Sequence, residues 1–129
     1  MIKAQKPLNP TKILDNFSYK NKKYQSNLKG NEIIKYKAKN LPAKPGVYQM
    51  ENKDGKILYI GKAKNLSKRV ISYSNLNNLT VRLQRMVFQT KNVNYTVTNS
   101  EIDALLLECN LIKRFKPKFN IILRDDKSF

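Results

Sequence analysis

Two short apolar segments separated by a turn sequence constrain the fold of this chain more than any other feature. Residues 46–51 read Gly-Val-Tyr-Gln-Met-Glu, and residues 56–61 read Lys-Ile-Leu-Tyr-Ile-Gly. Between them, Asn-Lys-Asp-Gly at 52–55 supplies typical turn residues. Short apolar runs on either side of such a turn predict an antiparallel β-hairpin.

The register of this hairpin decides which side chains meet. If Glu51 pairs with Lys56, then Tyr48 lies opposite Tyr59 on the same side of the sheet. Two adjacent phenols are typical of a core or surface ladder, and they are also found in functional sites. The glycine at each end of the hairpin favours a site, because glycine in a strand often marks close approach of a backbone or a ligand.

The remaining pattern from residue 41 onward predicts a small α+β domain. The prolines of residues 41–45 favour extended chain. We expect an element order of β-β-α-α-β-α, with a three-stranded antiparallel sheet flanked by helices. The last helix is capped by Ser100 and ends before Pro117. After the hairpin, the predicted elements are helices over 66–72 and 79–91, a strand over 94–98 and a helix from about 101 to 115.

Residues 1–40 form the other predicted region. They contain ten Lys and no Arg, against only Asp15 and Glu32. Their apolar residues occur in short islands that are too short to build a core. We therefore expect a basic, partly flexible or weakly helical arm before a folded domain over 41–129. The Lys- and Asn-rich composition can also reflect an AT-rich coding sequence.

The formal charge of +17 at pH 7 favours a polyanionic partner, either nucleic acid or an anionic membrane surface. The chain contains no His, which excludes Ser-His-Asp hydrolysis and His-metal nucleases. Cys109 is the only cysteine, so no disulfide forms and a reducing cytoplasm fits best. Asp125 and Asp126 point in different directions near the chain end, and we expect them on the surface.

A cluster of cations follows the hairpin directly. Arg69 is preceded by Lys62, Lys64 and Lys68. Tyr73 lies four residues after Arg69 and shares its helical face. Arginine is suited to bidentate phosphate contacts, and a neighbouring tyrosine can hydrogen-bond a phosphate or stack on a base. A solvated helix face explains the lysines equally well, but it explains the arginine less well in a chain so rich in Lys.

Glu108 is the acidic residue that the helical pattern places among apolar neighbours. An unpaired buried carboxylate is unstable, so we expect Glu108 to pair with Arg69 or Lys62, to bind a metal, or to have a raised pKa. Mg²⁺ needs only one or two protein carboxylates beside water and phosphate. The neighbours that define the predicted apolar arc are Ala104, Leu105, Leu106, Cys109, Leu111 and Ile112.

These motifs together resemble the GIY-YIG endonuclease superfamily. Gly46-Val47-Tyr48 stands for GIY, and Tyr59-Ile60-Gly61 matches YIG letter for letter. The fuller pattern is similar to the N-terminal domain of the UvrC family, which acts in bacterial nucleotide excision repair. It comprises Leu-Pro-x-x-Pro-Gly-Val-Tyr at 41–48, Leu-Tyr-Ile-Gly-Lys-Ala-Lys-Asn-Leu at 58–66, Lys-Arg-Val at 68–70, Thr-Asn-Ser-Glu at 98–101, and the segments 104–113, 116–120 and 123–129.

The resemblance implies metal-dependent hydrolysis of a DNA phosphodiester on the 3′ side of a lesion. By the family motif, Glu108 would ligate a single Mg²⁺ or Mn²⁺, and Tyr59 would be the general base for the attacking water. Because tyrosine has a pKa near 10, that base would need positive charge beside it. Arg69 and Lys62 would hold the phosphate, and the pocket would be completed by Tyr48, Tyr73 and Asn120.

The resemblance also implies partners. These are DNA, which Lys64, Lys68 and Arg69 would contact, and the repair protein UvrB, with UvrA acting upstream. UvrC proteins continue into a UvrB-interaction segment and a second nuclease domain where this chain ends, so we expect impaired activity from the chain alone. The alternative is a basic DNA- or RNA-binding remnant that does not cleave. A membrane-surface role is less favoured, since no predicted helix opposes a broad apolar face to a basic one.

Overall fold

The computed structural model describes residues 29–121. Within them, the chain forms four α-helices and three strands: α1 (Gly30–Ala38), β1 (Gly46–Glu51), β2 (Ile57–Ala63), α2 (Leu66–Ile71), α3 (Val81–Gln89), β3 (Asn92–Val97) and α4 (Glu101–Phe115). Two short 3₁₀ turns, Ser72–Ser74 and Leu76–Asn78, connect α2 to α3. The predicted α+β class and the element order from β1 onward are confirmed. None of the helices in this part of the chain is long and apolar enough to cross a membrane.

The three strands form one antiparallel sheet in the order β2-β1-β3. The predicted register of the hairpin is wrong by two residues, because Tyr48 pairs with Gly61 and Met50 pairs with Tyr59. An irregularity beside Met50 shifts the pairing, and the Asn52 side chain closes the turn by accepting hydrogen bonds from the backbone of residues 54 and 56. A shift of two residues leaves every side chain on the same face of the sheet, so Tyr48 and Tyr59 still share a face.

The larger core lies on the face that carries Tyr48. Helices α1, α2 and α3 all contribute to it, with Ile34, Leu66 and Met86 completely buried. Leu79 and Leu83 pack against the same cluster.

Helix α1 corrects the predicted domain boundary. The arm was expected to end near residue 40 without contributing to a core, yet Ile34 and Ala38 are buried in the larger core. Gly30 lets α1 approach α3 closely, because a Cβ at this position would overlap the Val87 carbonyl. The Glu32 carboxylate accepts a hydrogen bond from the Lys29 backbone at the start of the helix. The folded domain therefore begins no later than residue 30, and residues 1–28 of the predicted arm lie outside the described residues.

Helix α4 packs alone on the opposite face of the sheet. Its Ala104 is buried against Val47 and Ile60. Ser100 caps the helix as predicted, since its hydroxyl accepts a hydrogen bond from the Asp103 backbone. The helix ends at Phe115, before Pro117, with Lys116 in the left-handed conformation at φ 44°. The predicted pair Asp125 and Asp126 lies outside the described residues.

Candidate functional site

Three tyrosines from three different elements meet on the larger-core face of the sheet. The ring centroids of Tyr48 and Tyr73 lie 5.7 Å apart, and Tyr59 lies 6.4 Å from Tyr48 and 6.3 Å from Tyr73. The hydroxyls of Tyr48 and Tyr73 share a hydrogen bond of 2.6 Å in the interior. Gly61 makes room for this cluster, because a Cβ there would overlap the Tyr48 ring and hydroxyl. The structure therefore brings together the three tyrosines that the sequence analysis selected.

Arg69 borders the tyrosine cluster. Its guanidinium carbon lies 6.0 Å from the centroid of the Tyr73 ring. Interaction with the Tyr48 hydroxyl raises the pKa of Arg69, so the guanidinium is always charged. Helix α2 fixes this position, because the Asn65 side chain caps it by accepting a hydrogen bond of 3.0 Å from the Lys68 backbone.

A groove of about 500 Å³ opens beside Arg69. Among the described residues, its lining contains four cations and no acidic side chain, so it is suited to an anion. The four cations are those that the sequence analysis singled out. The lining residues are Lys62, Ala63, Lys64, Asn65, Lys68, Arg69 and Ser72.

The sequence analysis did not assign Asn65 or Ser72 to the site. Asn65 could have been found from its position, because Asn is a preferred N-cap and a helix was predicted to begin directly after it. Ser72 has no comparable signal, because its hydroxyl donates to the Arg69 carbonyl one turn earlier, as exposed serines in helices often do.

Burial raises the pKa values of the three phenols. The pKa of Tyr48 is raised to about 12, chiefly by burial and also by the neighbouring Tyr59, while contacts with Tyr73 and Arg69 lower it. Burial, followed by the effect of Tyr48, raises the pKa of Tyr73 well above its usual value near 10.

The pKa of Tyr59 depends on groups from both sides of the sheet. Burial and the neighbouring Tyr73 raise its pKa well above 10, and the negative charge of Glu108 raises it further. Arg69 lowers this pKa but does not outweigh the other causes. A Tyr59 phenolate is therefore unfavourable, chiefly because of burial and Tyr73, with a smaller effect from the Glu108 charge.

Glu108 lies on α4 and is half-buried. Within residues 29–121 it forms no hydrogen bond or ion pair, so the predicted pairing with Arg69 or Lys62 is absent from this part of the chain. The expectation that Leu105, Leu106 and Cys109 share its buried arc is wrong, because all three are exposed. Helix α4 packs only against the sheet, so its outer surface faces solvent.

The predicted site residues lie around the edge strand β2. Tyr59 points to the face covered by α1–α3, whereas Ile60 packs toward α4. Because side chains alternate along a strand, Lys62 also lies on the α4 face, at the end of β2 where it lines the groove. Strand β2 therefore contributes predicted site residues to both faces of the sheet.

The Asn120 side chain is held against the edge strand β2. Its amide oxygen accepts from the Ile60 N–H at 2.8 Å, and its amide nitrogen donates to the Ile60 carbonyl at 2.9 Å. Both ends of the side chain are therefore bound to the backbone of β2, next to Tyr59.

The part of the chain that contains these residues is similar to known proteins. A family model described as the UvrC-like GIY-YIG domain matches residues 44–121. The UvrABC system protein C of Bartonella henselae is 50% identical over 105 residues, which cover 81% of this chain and 16% of that protein. The corresponding protein of Rhizobium meliloti is 52% identical over 102 residues, or 79% of this chain and 15% of that protein. The chain thus spans about one sixth of the length of these curated relatives.

A solved structure shares the fold. The GIY-YIG N-terminal endonuclease domain of UvrC from Thermotoga maritima is 42% identical, with a TM-score of 0.60. The match covers 67% of this chain and 93% of that domain. That crystal structure is bound to its catalytic divalent cation, magnesium.

Proposed function

Because the chain belongs to the UvrC-like GIY-YIG domain family, we propose that it is a metal-dependent endonuclease domain that hydrolyses a DNA phosphodiester. One observation carries the proposal: the tyrosine cluster is bordered by Arg69, which also lines a groove that contains four cations and no acid among the described residues. Such a groove attracts a phosphate beside the tyrosine cluster.

The groove residues would position the scissile phosphate. Arg69 presents several donors in a planar fork that fits phosphate oxygens, and its neighbours Tyr48 and Tyr73 hold it in place. Lys62 would neutralise the developing charge from the other face of β2. Lys64 and Lys68, which are exposed, would contact flanking phosphates of the DNA.

Glu108 fits a divalent cation. Its carboxylate is half-buried and makes no ion pair with the described residues, so it is available as a ligand. No group of three or more acidic or sulfur ligands occurs between residues 29 and 121, and a lone carboxylate suits Mg²⁺ or Mn²⁺, which keep several water ligands and accept phosphate oxygens. When bound, such an ion lowers the pKa of a water ligand and stabilises negative charge on the phosphate.

Tyr59 would accept the proton of the attacking water. In the site as described, its pKa is raised, and the charge of Glu108 is one of the causes. Neutralising that charge removes this cause, although burial and Tyr73, which are the larger causes, remain. A cation at Glu108 would therefore shift the pKa of Tyr59 toward that of a better base.

Asn120 would act as a positioning residue. It holds the backbone of Ile60, the residue next to Tyr59, through two hydrogen bonds. The Tyr59 backbone is thereby fixed at an edge strand that would otherwise be free to shift.

The proposed domain would act within a larger repair assembly. We infer that the full activity is the 3′ incision of nucleotide excision repair, with DNA, UvrB and the upstream UvrA as partners in the cytoplasm. The comparisons do not support the alternative of a non-cleaving DNA- or RNA-binding remnant.

Metal-dependent nicking of supercoiled plasmid tests the proposal. With Mg²⁺ or Mn²⁺, with UvrA and UvrB supplied and with the C-terminal part of a UvrC protein added, the wild-type chain should nick. Glu108→Ala should reduce the rate by about a thousandfold, since loss of charge stabilisation at the reacting phosphate has effects of this size.

Glu101→Ala is the matched control for this experiment. It removes the same side chain from an exposed position of the same helix, so it should leave nicking unchanged. Tyr59→Phe should also abolish nicking while DNA binding persists. Full activity in either the Glu108 or the Tyr59 variant would contradict the mechanism. DNA binding without any nicking by the wild type would favour the non-cleaving alternative.

A further inference from the structure

Helix α3 has an exposed surface that the proposed site does not use. This α3 surface consists of Val81, Arg82, Arg85, Phe88 and Gln89, all exposed. At 100° per residue these five positions span an arc of about 120° on one side of the helix. Phe88 is 55% exposed and Val81 66%, although α3 has a separate apolar face in the core.

The sequence around helix α3 is one-sided in charge. Residues 55–100 contain eight Lys and Arg and no Asp or Glu. The whole chain has only five arginines against 21 lysines, and two of the five lie one turn apart on this surface, at Arg82 and Arg85. Arginine in a lysine-rich chain indicates a requirement for its planar, multiple-donor group, which suits phosphate.

Helix α2, which carries Arg69 of the cationic groove, lies on the same face of the sheet as α3. Helices α2 and α3 both pack into the larger core, with α1 in contact with each of them, whereas α4 covers the other face of the sheet. A domain of this size has a radius of gyration of about 12 Å, so two points on one side lie within about 25 Å. One turn of duplex DNA is longer than that, at about 34 Å.

We propose that the α3 surface is a second DNA-contact surface, which binds the backbone of the same DNA that enters the groove. Arg82 and Arg85 contact phosphates, and Phe88 packs against the sugar or base of an adjoining nucleotide. This inference rests on the proposed function, because it takes DNA as the substrate. Charge complementarity selects this partner, since the five residues of this surface include two arginines, an exposed aromatic ring and no acid, which fits a polyanion that carries stacking groups.

Fluorescence anisotropy with the full chain and a labelled 20-base-pair duplex, in EDTA and over a range of salt concentrations, tests the proposal. Each phosphate contact contributes about 0.9 to the slope of log affinity against log salt. The double variant Arg82→Ala/Arg85→Ala should therefore reduce the magnitude of this slope by about 1.8, and at 0.1 M salt it should weaken binding by at least about tenfold.

The matched control is Lys113→Ala/Arg114→Ala. It also removes two exposed cations from one helix, but on the other side of the sheet. It should leave the slope nearly unchanged, so equal reductions in the two double variants would overturn the proposal. Arg85→Ala alone, checked for an unchanged melting temperature, should still reduce the slope by about 0.9. No change in a folded Arg85 variant would also overturn the proposal.

Phe88→Ala separates the aromatic contact from charge. It should weaken binding by about fivefold with an unchanged salt slope, because stacking does not release counterions. Unchanged affinity would overturn the role of this ring. Since binding in EDTA does not need cleavage, a wild type that fails to nick contradicts only the nuclease proposal. A wild type that nicks but shows no dependence on Arg85 contradicts only the α3 surface.

Discussion

The two faces of the sheet are covered to different depths. On one face, helices α1–α3 pack against the strands and against each other, and Ile34, Met86 and Val87 are completely buried. On the other face, α4 packs alone, and its outer residues Ile102 and Leu106 are 70% and 57% exposed. The outer strands of a three-stranded sheet lie only about 10 Å apart, which is about the diameter of one helix. A single helix thus covers the sheet but has no further layer on its outer side.

This difference also separates the chemistry of the two faces. The three-helix face holds the tyrosines, whose phenols need burial and hydrogen bonds to keep their positions. The single-helix face contributes Glu108, which stays half-buried and accessible because no second helix covers α4. A site that must hold rigid aromatic groups and also admit a phosphate can use the buried face for the aromatic groups. It can use the more accessible face for the carboxylate.

The largest expected difference between the faces concerns stability. Ile34→Ala should lower the free energy of unfolding by about 3 kcal/mol, because it leaves a cavity in the larger core. Ile102→Ala makes the same change on α4 at a 70% exposed position and should change it by less than about 0.5 kcal/mol. Urea unfolding measures the change in the free energy of unfolding for both variants. Similar values would mean that α1 is not part of the core.

Alkaline pH should affect the three-helix face selectively. The pKa of Tyr48 is about 12 in the folded chain, against about 10 when unfolded. The unfolded chain therefore releases this proton first, so the contribution of Tyr48 to stability is constant below about pH 10 and decreases between about pH 10 and 12. Tyr48 alone contributes a decrease of about 1.4 kcal/mol per pH unit.

Urea unfolding at pH 9 and pH 11, with Tyr48→Phe as the comparison, measures the alkaline effect. The variant should lose less stability than the wild type between the two pH values. An equal loss in both proteins would mean that Tyr48 does not have a raised pKa in the folded chain.

Gly61→Ala should disturb the tyrosine cluster directly. The added methyl group would overlap the Tyr48 ring and hydroxyl, and the ring must move because a neighbouring strand fixes the backbone. We expect a loss of about 2 kcal/mol in the free energy of unfolding. The double variant Gly61→Ala/Tyr48→Leu should recover part of this loss. A Gly61→Ala variant as stable as the wild type would show that the cluster is looser than described.

The smallest expected effect concerns single groove lysines. Lys68→Ala should weaken DNA binding by about threefold at 0.1 M salt, since it removes one exposed phosphate contact. Lys53→Ala, in the exposed turn between β1 and β2, is the control and should have no effect. Anisotropy titrations resolve this difference, and equal effects would mean that the chain binds DNA without using the groove.

Local sequence signals predicted those elements that local interactions stabilise. The helix from Ser100 to Phe115 has a cap at one end and a proline after the other, and its bounds were predicted correctly. The cations beside Arg69 lie close to it in the sequence, so their clustering also followed from spacing. The paired glycines indicated close contacts, which the structure shows at Gly61 and, against the Thr96 backbone, at Gly46.

The remaining features depend on contacts between distant residues. The core role of α1 depends on Gly30 meeting α3, more than fifty residues away, and no periodicity in a lysine-rich segment indicates that contact. The hairpin register depends on an irregularity beside Met50 that turn composition does not encode. The exposed outer side of α4 depends on how many layers cover the sheet, which an apolar pattern within one helix cannot report.

Strand β2 is an edge strand, and Asn120 forms two hydrogen bonds with the backbone of its residue Ile60. An open edge presents unpaired N–H and carbonyl groups that can template pairing with another chain. At Ile60 one amide side chain occupies both groups, in the manner of a single residue of a fourth strand. A foreign strand would have to displace Asn120 before it could extend the sheet at this position. The same side chain that holds the Tyr59 strand in place therefore also protects the domain from self-association through β2.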